Sequence, residues 1–267
     1  PRDGARGGPL GGAPAGALDG TPSLAGVRRT VPLGWKCDTP QMALAFIPPA
    51  PLDALEVPAG HPSLPSPTGE DGLGRRLLVV RAAFNVRIKL VRQPGLPPRF
   101  QRVAEPRSIS QQAFDLLVTP ILPEAQRDPK LPACQMSLNL VMVSDEPCRL
   151  QLMPPFLSPA LRRWPGTLVS GRFPLENWPR PLNAILEWQD PSRDWILRRG
   201  DPLAYLMPQY DDPALVPELV EVAQSKPLIR HIMRLNMVTE VARNVGPMFE
   251  EARRRRPKRL VIPKRDA

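Results

Sequence analysis

The sequence predicts a mainly β fold, an antiparallel β-sandwich or jelly-roll barrel, followed by a short C-terminal helical segment and flanked by extended termini. Proline fills 38 of the 267 positions, against about 5% in ordinary proteins. Each proline removes a backbone donor and pushes its predecessor out of the helical region, which forbids long helices and central parallel strands. Two segments alternate with a two-residue period, Leu77–Val91 and Cys134–Met142, as half-buried strands do. Shorter apolar runs follow at close intervals, divided by proline, glycine or aspartate, with no alternation of strands and helices.

Residues 1–30 form a glycine- and proline-rich arm: positions 1–26 hold eight of the eighteen glycines and almost no large apolar side chain. The chain opens on Pro1, so its native start is expected upstream. Across Leu33–Ile47 the segments Gly34–Cys37 and Met42–Ile47 flank Asp38-Thr39-Pro40, which predicts a β-hairpin. Residues 48–73 carry seven prolines and His61 and read as loop.

Leu77–Val91 is the strongest local signal. Leu78, Val80, Ala82, Phe84, Val86, Ile88 and Leu90 share one face, while Arg81, Arg87 and Lys89 make the other basic. A strand of this length is either bent by a bulge or runs along two sheets. Cys134, Met136, Leu138, Leu140 and Met142 give the second strand. Arg149–Met153, Thr167–Phe173, Leu182–Trp188, Trp195–Arg198 and Leu203–Met207 give shorter ones, completing a β-rich core domain over 31–210.

Helix is predicted only over 211–247. Asp212-Pro213 resembles an N-cap and first-turn proline before Leu215–Gln224, and Ser225-Lys226-Pro227 restarts a helix that Gly246-Pro247 closes. The second helix spreads Leu228, Ile229, Ile232, Met233, Leu235, Val238, Val241 and Val245 over more than one stripe, so it is expected to pack on two neighbours or to turn one face to another subunit. Residues 248–267 form a basic tail.

Charge and motif content narrow the function classes. The net charge of +10 is concentrated at the C-terminus: residues 1–73 sum to −2, 74–225 to +4 and 226–267 to +8. Arg253, Arg254, Arg255, Arg256, Lys258 and Arg259 form a cationic run suited to phosphates or to an acidic neighbour. Aromatic content of 5% offers no stacking platform for bases. Cys37, Cys134 and Cys148 form no disulfide framework and no C-x-x-C pair; Cys134 and Cys148 read as buried small hydrophobes.

His61 and His231 stand in Gly-His-Pro and Arg-His-Ile contexts, read as a loop and a helix-surface histidine. The H-x-D step of a facial-triad oxygenase, H-E-x-x-H, the deaminase ligand set and G-x-S-x-G are missing, as are P-loop and dinucleotide fingerprints. No cofactor or metal is expected. Arg199-Gly200-Asp201 reads as a turn between strands. No apolar run approaches the ~20 residues of a membrane helix, and no signal-peptide core is evident; a cytoplasmic or virion location is expected.

Across Trp164–Pro208, Arg172-Phe173-Pro174, Asn177-Trp178-Pro179, Leu182–Trp188, Trp195-Ile196 and Gly200-Asp201-Pro202-Leu203 read as successive β-meander elements with an aromatic at each corner. Over about Cys134–Pro208 this order of an aromatic-Pro segment, W-x-x-P and a late G-[DE]-P-apolar turn resembles an uncharacterised family of bacterial and bacteriophage proteins. The resemblance implies a compact β-domain and a phage or prophage origin, and it carries over no activity and no catalytic residue. The leading expectation is a non-enzymatic structural or interaction protein, part of a phage particle or similar assembly with homo- or hetero-oligomeric protein partners. The alternatives are a nucleic-acid-associated protein using the basic tail with the Arg81, Arg87, Lys89 strand face, and a jelly-roll enzyme with a site built from Glu176, Glu187, Asp190, Asp194 and Asp201.

Overall fold

The computed structural model describes residues 28–52, 76–122, 125, 126, 128, 130–239 and 246–264. The expected arm over 1–26, most of the proline-rich loop and His61 lie outside the described residues. The fold is mainly β, built on two larger sheets and a smaller third whose inward faces share one core.

In the first sheet β1 (Arg29–Cys37), β7 (Ala133–Ser144), β11 (Pro181–Trp188) and β9 (Gly166–Val169) are neighbours in that order, and β14 (Leu215–Glu221) flanks β1. β6 (Val118–Pro120), which follows the short helix α1 (Gln111–Leu117), also pairs with β7. In the second sheet the order is β10 (Gly171–Pro174), β8 (Cys148–Met153), β13 (Pro202–Tyr210), β3 (Leu78–Arg81) and β2 (Ala50–Pro51). The third joins β12 (Trp195–Leu197), β4 (Val86–Val91) and β5 (Arg99–Arg102). Strand pairings are antiparallel apart from β1 with β14.

Proline placement explains much of this layout. Pro51, Pro120, Pro174, Pro181 and Pro202 stand at strand ends, where a missing N–H costs no ladder bond. Three others lie inside strands at positions bonded on one side only. Pro32 is paired to β14 alone, because β1 meets β7 from Leu33 onward. Pro208 is paired to β8 alone, because the β13–β3 register stops at Leu206. Pro217 lies in β14, at the end of the sheet.

The main core joins the inward faces of all three sheets: Met136, Leu140 and Met142 from β7, Leu150 and Leu152 from β8, Leu182, Ala184 and Leu186 from β11, and Ile88 and Trp195 from the third sheet. Leu77–Val91 divides at Ala82–Asn85 into β3 and β4, so the long alternating segment serves two sheets. Leu78, Val80, Ala82, Val86, Ile88 and Leu90 are buried and Phe84 is partly buried. Leu77 and Val79 are buried on the opposite face, under Leu52, Tyr205 and Leu157.

Several local expectations are corrected. The Leu33–Ile47 hairpin does not form. β1 ends at Cys37, Pro40–Met42 makes a 3-10 turn, and β1 takes its partners from β7 and β14. Leu215–Glu221 is strand rather than helix. Asp212 turns the chain instead of capping a helix, since its Oδ1 accepts from Ala214 N at 2.9 Å and its carbonyl from Leu215 N at 3.2 Å. Val216, Pro217 and Val220 then suit a sheet edge better than a helix interior. The 211–247 segment is therefore part strand, with α2 (Lys226–Thr239) following, and Gly246-Pro247 stands at the start of α3 (Gly246–Arg254).

Thr167–Phe173 splits at Ser170, with β9 in the first sheet and β10 in the second. Consecutive strands here change sheets, so they form no meander. Nor does one aromatic mark each corner. Trp164, Trp195, Trp188 and Phe100 form one continuous cluster with ring centroids 5.0, 5.1 and 5.0 Å apart, and Trp178 packs elsewhere against Phe173.

Replacing Trp195, which is fully buried, by alanine is expected to cost about 3–5 kcal/mol. Gly166→Ala should cost about 1–3 kcal/mol or more, because a Cβ there would stand 1.9 Å from the Glu187 carbonyl oxygen. Phe84→Ala should cost less than Trp195→Ala. Urea unfolding measures all three, and equal losses at Trp195 and Phe84 would contradict this assignment of the core.

Candidate functional site

The cationic C-terminal run is part of the folded body. α3 is anchored at Phe249, whose ring stacks on Trp178 with centroids 5.1 Å apart and planes at 17°. Trp178 is itself held edge-on by Phe173 at 4.9 Å, with the Arg180 guanidinium 5.8 Å from its ring centre. One turn later the helix carries its arginines beside its own glutamates. Arg253 pairs with Glu250 at 2.8 Å, Arg254 with Glu251 at 2.9 Å, and Arg255 also with Glu251. This pairing follows from i,i+3 and i,i+4 spacing and is legible in Glu250-Glu251 preceding the basic run.

Arg256 turns inward and donates to the carbonyls of Ser144 and Asp145, at the end of β7. The Asp145 carboxylate answers by accepting the backbone N–H groups of Leu260 at 2.6 Å and Val261 at 3.2 Å. Leu260 and Val261 are buried against Val141, Val143, Val222, Leu228 and Ile232. Beyond them Ala223 N donates to Ile262 O at 2.8 Å, and Lys264 N to Glu221 O at 2.7 Å.

The apolar Leu260-Val261-Ile262 segment, which as an isolated motif suits a neighbour's sheet edge, thus lies along the end of its own chain's β14. The described part of 248–267 is a helix and a docked strap rather than a free tail. Among the six basic residues, Arg253, Arg254, Arg255, Lys258 and Arg259 remain exposed, while Arg256 is half-buried.

The five carboxylates considered for an enzyme site are bound to different parts of the frame. Asp194 accepts from Arg87 Nε at 2.7 Å, and Arg87 also meets Glu105 at 3.1 Å. Asp201 pairs with Arg163 at 2.8 Å. Asp190 accepts from the Ser192 hydroxyl at 2.6 Å, which holds its carboxyl below the usual range. Glu187 is buried in β11, and Glu176 lies between β10 and β11. Among the described residues, no group of three His, Cys, Asp or Glu side chains could hold a metal ion.

The basic strand face is likewise occupied in part. Arg87 is ion-paired as above and Arg81 donates to the Gly200 carbonyl at 3.0 Å, while Lys89 is exposed. Arg199-Gly200-Asp201 is the turn between β12 and β13, with Gly200 at φ +88°. Arg199 donates to the carbonyls of Ala45 and Ala83, tying together the loops after β1 and β3. Beside them lies an apolar crevice lined by Met42, Phe46, Phe84, Met136 and Leu203, with a cavity volume of only about 20 Å³, room for about one water.

His231 is buried, not on the helix surface, because its face of α2 packs inward with Leu228 and Ile232. Cys134 and Cys148 are buried, and loss of hydration raises both thiols, Cys148 to about 12. All three cysteines are free. No helix among the described residues is long and apolar enough to cross a membrane.

The chain matches no protein-family model and no curated protein.

Asp145→Ala should leave two half-buried N–H groups without their acceptor and cost about 1–3 kcal/mol, with faster tryptic cleavage at 253–259. Unchanged proteolysis would mean that Asp145 does not hold the strap. A thiol reagent at pH 8 should modify Cys37, which is half-buried, well before Cys134 or Cys148. All three should react on unfolding, and native reactivity of Cys134 matching Cys37 would refute the burial argument.

Proposed function

We propose that this chain is a non-enzymatic structural or interaction protein that works as one subunit of a larger assembly, a phage particle or a similar multi-subunit structure. The observation that carries the reading is the first half of α2, which among the described residues buries one apolar pair and leaves another open. Leu228 and Ile232 are buried on the first sheet, whereas Ile229 and Met233, one turn apart, are 37% and 57% exposed. Large apolar side chains that the described residues leave open on a packed helix favour a further surface that buries them, as a partner subunit would.

The polar chemistry supports the same reading. Asp194, Asp201, Arg87, Arg163, Arg199 and Arg256 are engaged in ion pairs and backbone contacts that hold loops to strands. The phage setting rests on the order of motifs over Cys134–Pro208, which here spans β7 to β13.

Nucleic-acid contact is the second reading, supported by the exposed guanidinium groups of Arg253, Arg254 and Arg255. A phosphate would have to displace Glu250 and Glu251 and then meet their repulsion. Protein contact is therefore favoured over phosphate contact.

Sedimentation across a hundredfold range of concentration, with and without duplex DNA, separates the readings. Self-association that is lost in Ile229→Glu and Met233→Glu, with unchanged circular dichroism, is the expected result for a homo-oligomer. A chain that stays monomeric alone yet binds DNA with a steep salt dependence, flattened when Arg253–Arg255 become alanine, would replace the assembly reading with the nucleic-acid one.

A further inference from the structure

The outer face of the second sheet is covered near Leu77, Val79 and Tyr205 but open beyond them, where β10, β8 and β13 run side by side. A surface groove of about 380 Å³ lies there, lined by Gln151, Ser170, Gly171, Arg172 and Gln209. Strand register puts these side chains together. Gln151 of β8 stands directly opposite Arg172 of β10, and Gln209 of β13 stands opposite Arg149. All four project from the face opposite the core, since Cys148, Leu150 and Leu152 alternate with them inward.

The hydrogen bonds in the groove run in one direction. Arg172 Nη2 donates to Gln209 Oε1 at 3.5 Å, and Gln209 Nε2 donates to Gln151 Oε1 at 3.2 Å. A guanidinium has donors only, so Arg172 fixes which end of Gln209 faces it, and Gln209 in turn fixes Gln151. Each amide oxygen accepts one bond of this relay. The Gln151 Nε2 group and the remaining Arg172 N–H groups are left as donors facing the groove, with no acceptor among the described residues.

Local charge then selects the ligand. Arg149 is neutralised by Asp211 at 2.6 Å, which leaves Arg172 as the net positive charge among the described residues that line the groove. We propose that this groove is a carboxylate-binding site, in which a planar, singly charged carboxylate accepts from the Arg172 guanidinium and from the Gln151 amide. The guanidinium fork matches carboxylate geometry in two parallel bonds, and the adjacent primary amide extends the donor set. A phosphate dianion would keep one charge unbalanced beside the single Arg172 cation, whereas a carboxylate is matched by it. The carboxylate belongs either to a small molecule or to an acidic side chain of another polypeptide, and the site stands independently of the assembly reading.

The full chain, labelled with ¹⁵N, is titrated at constant ionic strength with glutarate, with acetyl-Gly-Glu-Gly-amide and with inorganic phosphate. The expected result is a saturable shift of the Arg172 Nε–H and Gln151 side-chain amide resonances with one or both carboxylates. Affinity should fall about tenfold in Arg172→Ala, as loss of a charge-assisted bond implies. Gln209→Glu should lower it as much, because it sets a fixed carboxylate against Arg172. Lys89→Ala, which changes net charge by the same amount on another sheet, should leave it unchanged.

Tighter binding of glutarate than of the peptide would place the site's ligand among small molecules, and the reverse would place it on a polypeptide. Either order supports the site. Absence of saturation, tighter binding of phosphate, or equal losses in Lys89→Ala and Gln209→Glu would overturn it.

Discussion

The structure depends on β7 being buried on both faces. Its inward side chains, from Cys134 to Met142, form one wall of the main core, while Val141 and Val143 on the other side seed the second cluster that receives Leu228, Ile232, Leu260 and Val261. Its edges are shared in the same way. β11 runs along one side, and β1 and β6 divide the other, with β1 opposite 140–144 and β6 opposite 134–136. The register with β11 shifts between Pro181 and Asn183, and near this irregularity Asn139 adopts φ +50° and receives the N–H of Asp38. Because burial on two faces doubles the apolar area a strand removes from water, every layer of the molecule is fastened to this element.

Proline determines how the rest of the chain reaches β7. With so many positions lacking a donor, most ladders are short, and from β7 onward each successive strand belongs to a different sheet from the one before it. β9 and β10 are separated by Ser170 alone yet belong to different sheets. The Trp164–Trp195–Trp188–Phe100 cluster lies where the first and third sheets meet, so a few large rings fill the corner that short strands leave open.

The same economy governs the polar groups. Asp145, Asp194, Asp201, Arg199 and Arg256 each bind backbone or an opposite charge across a long sequence separation. Proline-rich loops have few ladder bonds of their own, and side chains supply the missing partners. What remains unspent lies at the surface: the outer stripe of α2, the cationic edge of α3 and the donor groove on the second sheet.

The alternation of Leu77–Val91 and Cys134–Met142 and the frequency of proline determined the β class and the buried faces, because period two and donor loss act locally. The contrast on α2 between buried Leu228 and Ile232 and open Ile229 and Met233 was also legible, with the side chains of Leu235, Val238, Val241 and Val245 outside the described residues, as was the burial of Cys134 and Cys148. Tertiary structure alone decided the partners. β1 needed β7, some hundred residues distant, more than it needed a hairpin at Asp38-Thr39-Pro40. Leu215–Glu221 became strand because β1 offered it a bare edge, which no local propensity encodes. The C-terminal strap was hidden for the same reason: Asp145 and Leu260 have no relation along the chain, and only folding brings that carboxylate to those N–H groups. The donor groove likewise comes from three strands whose register sets Gln151, Arg172 and Gln209 together, and register is a property of the assembled sheet rather than of any one segment.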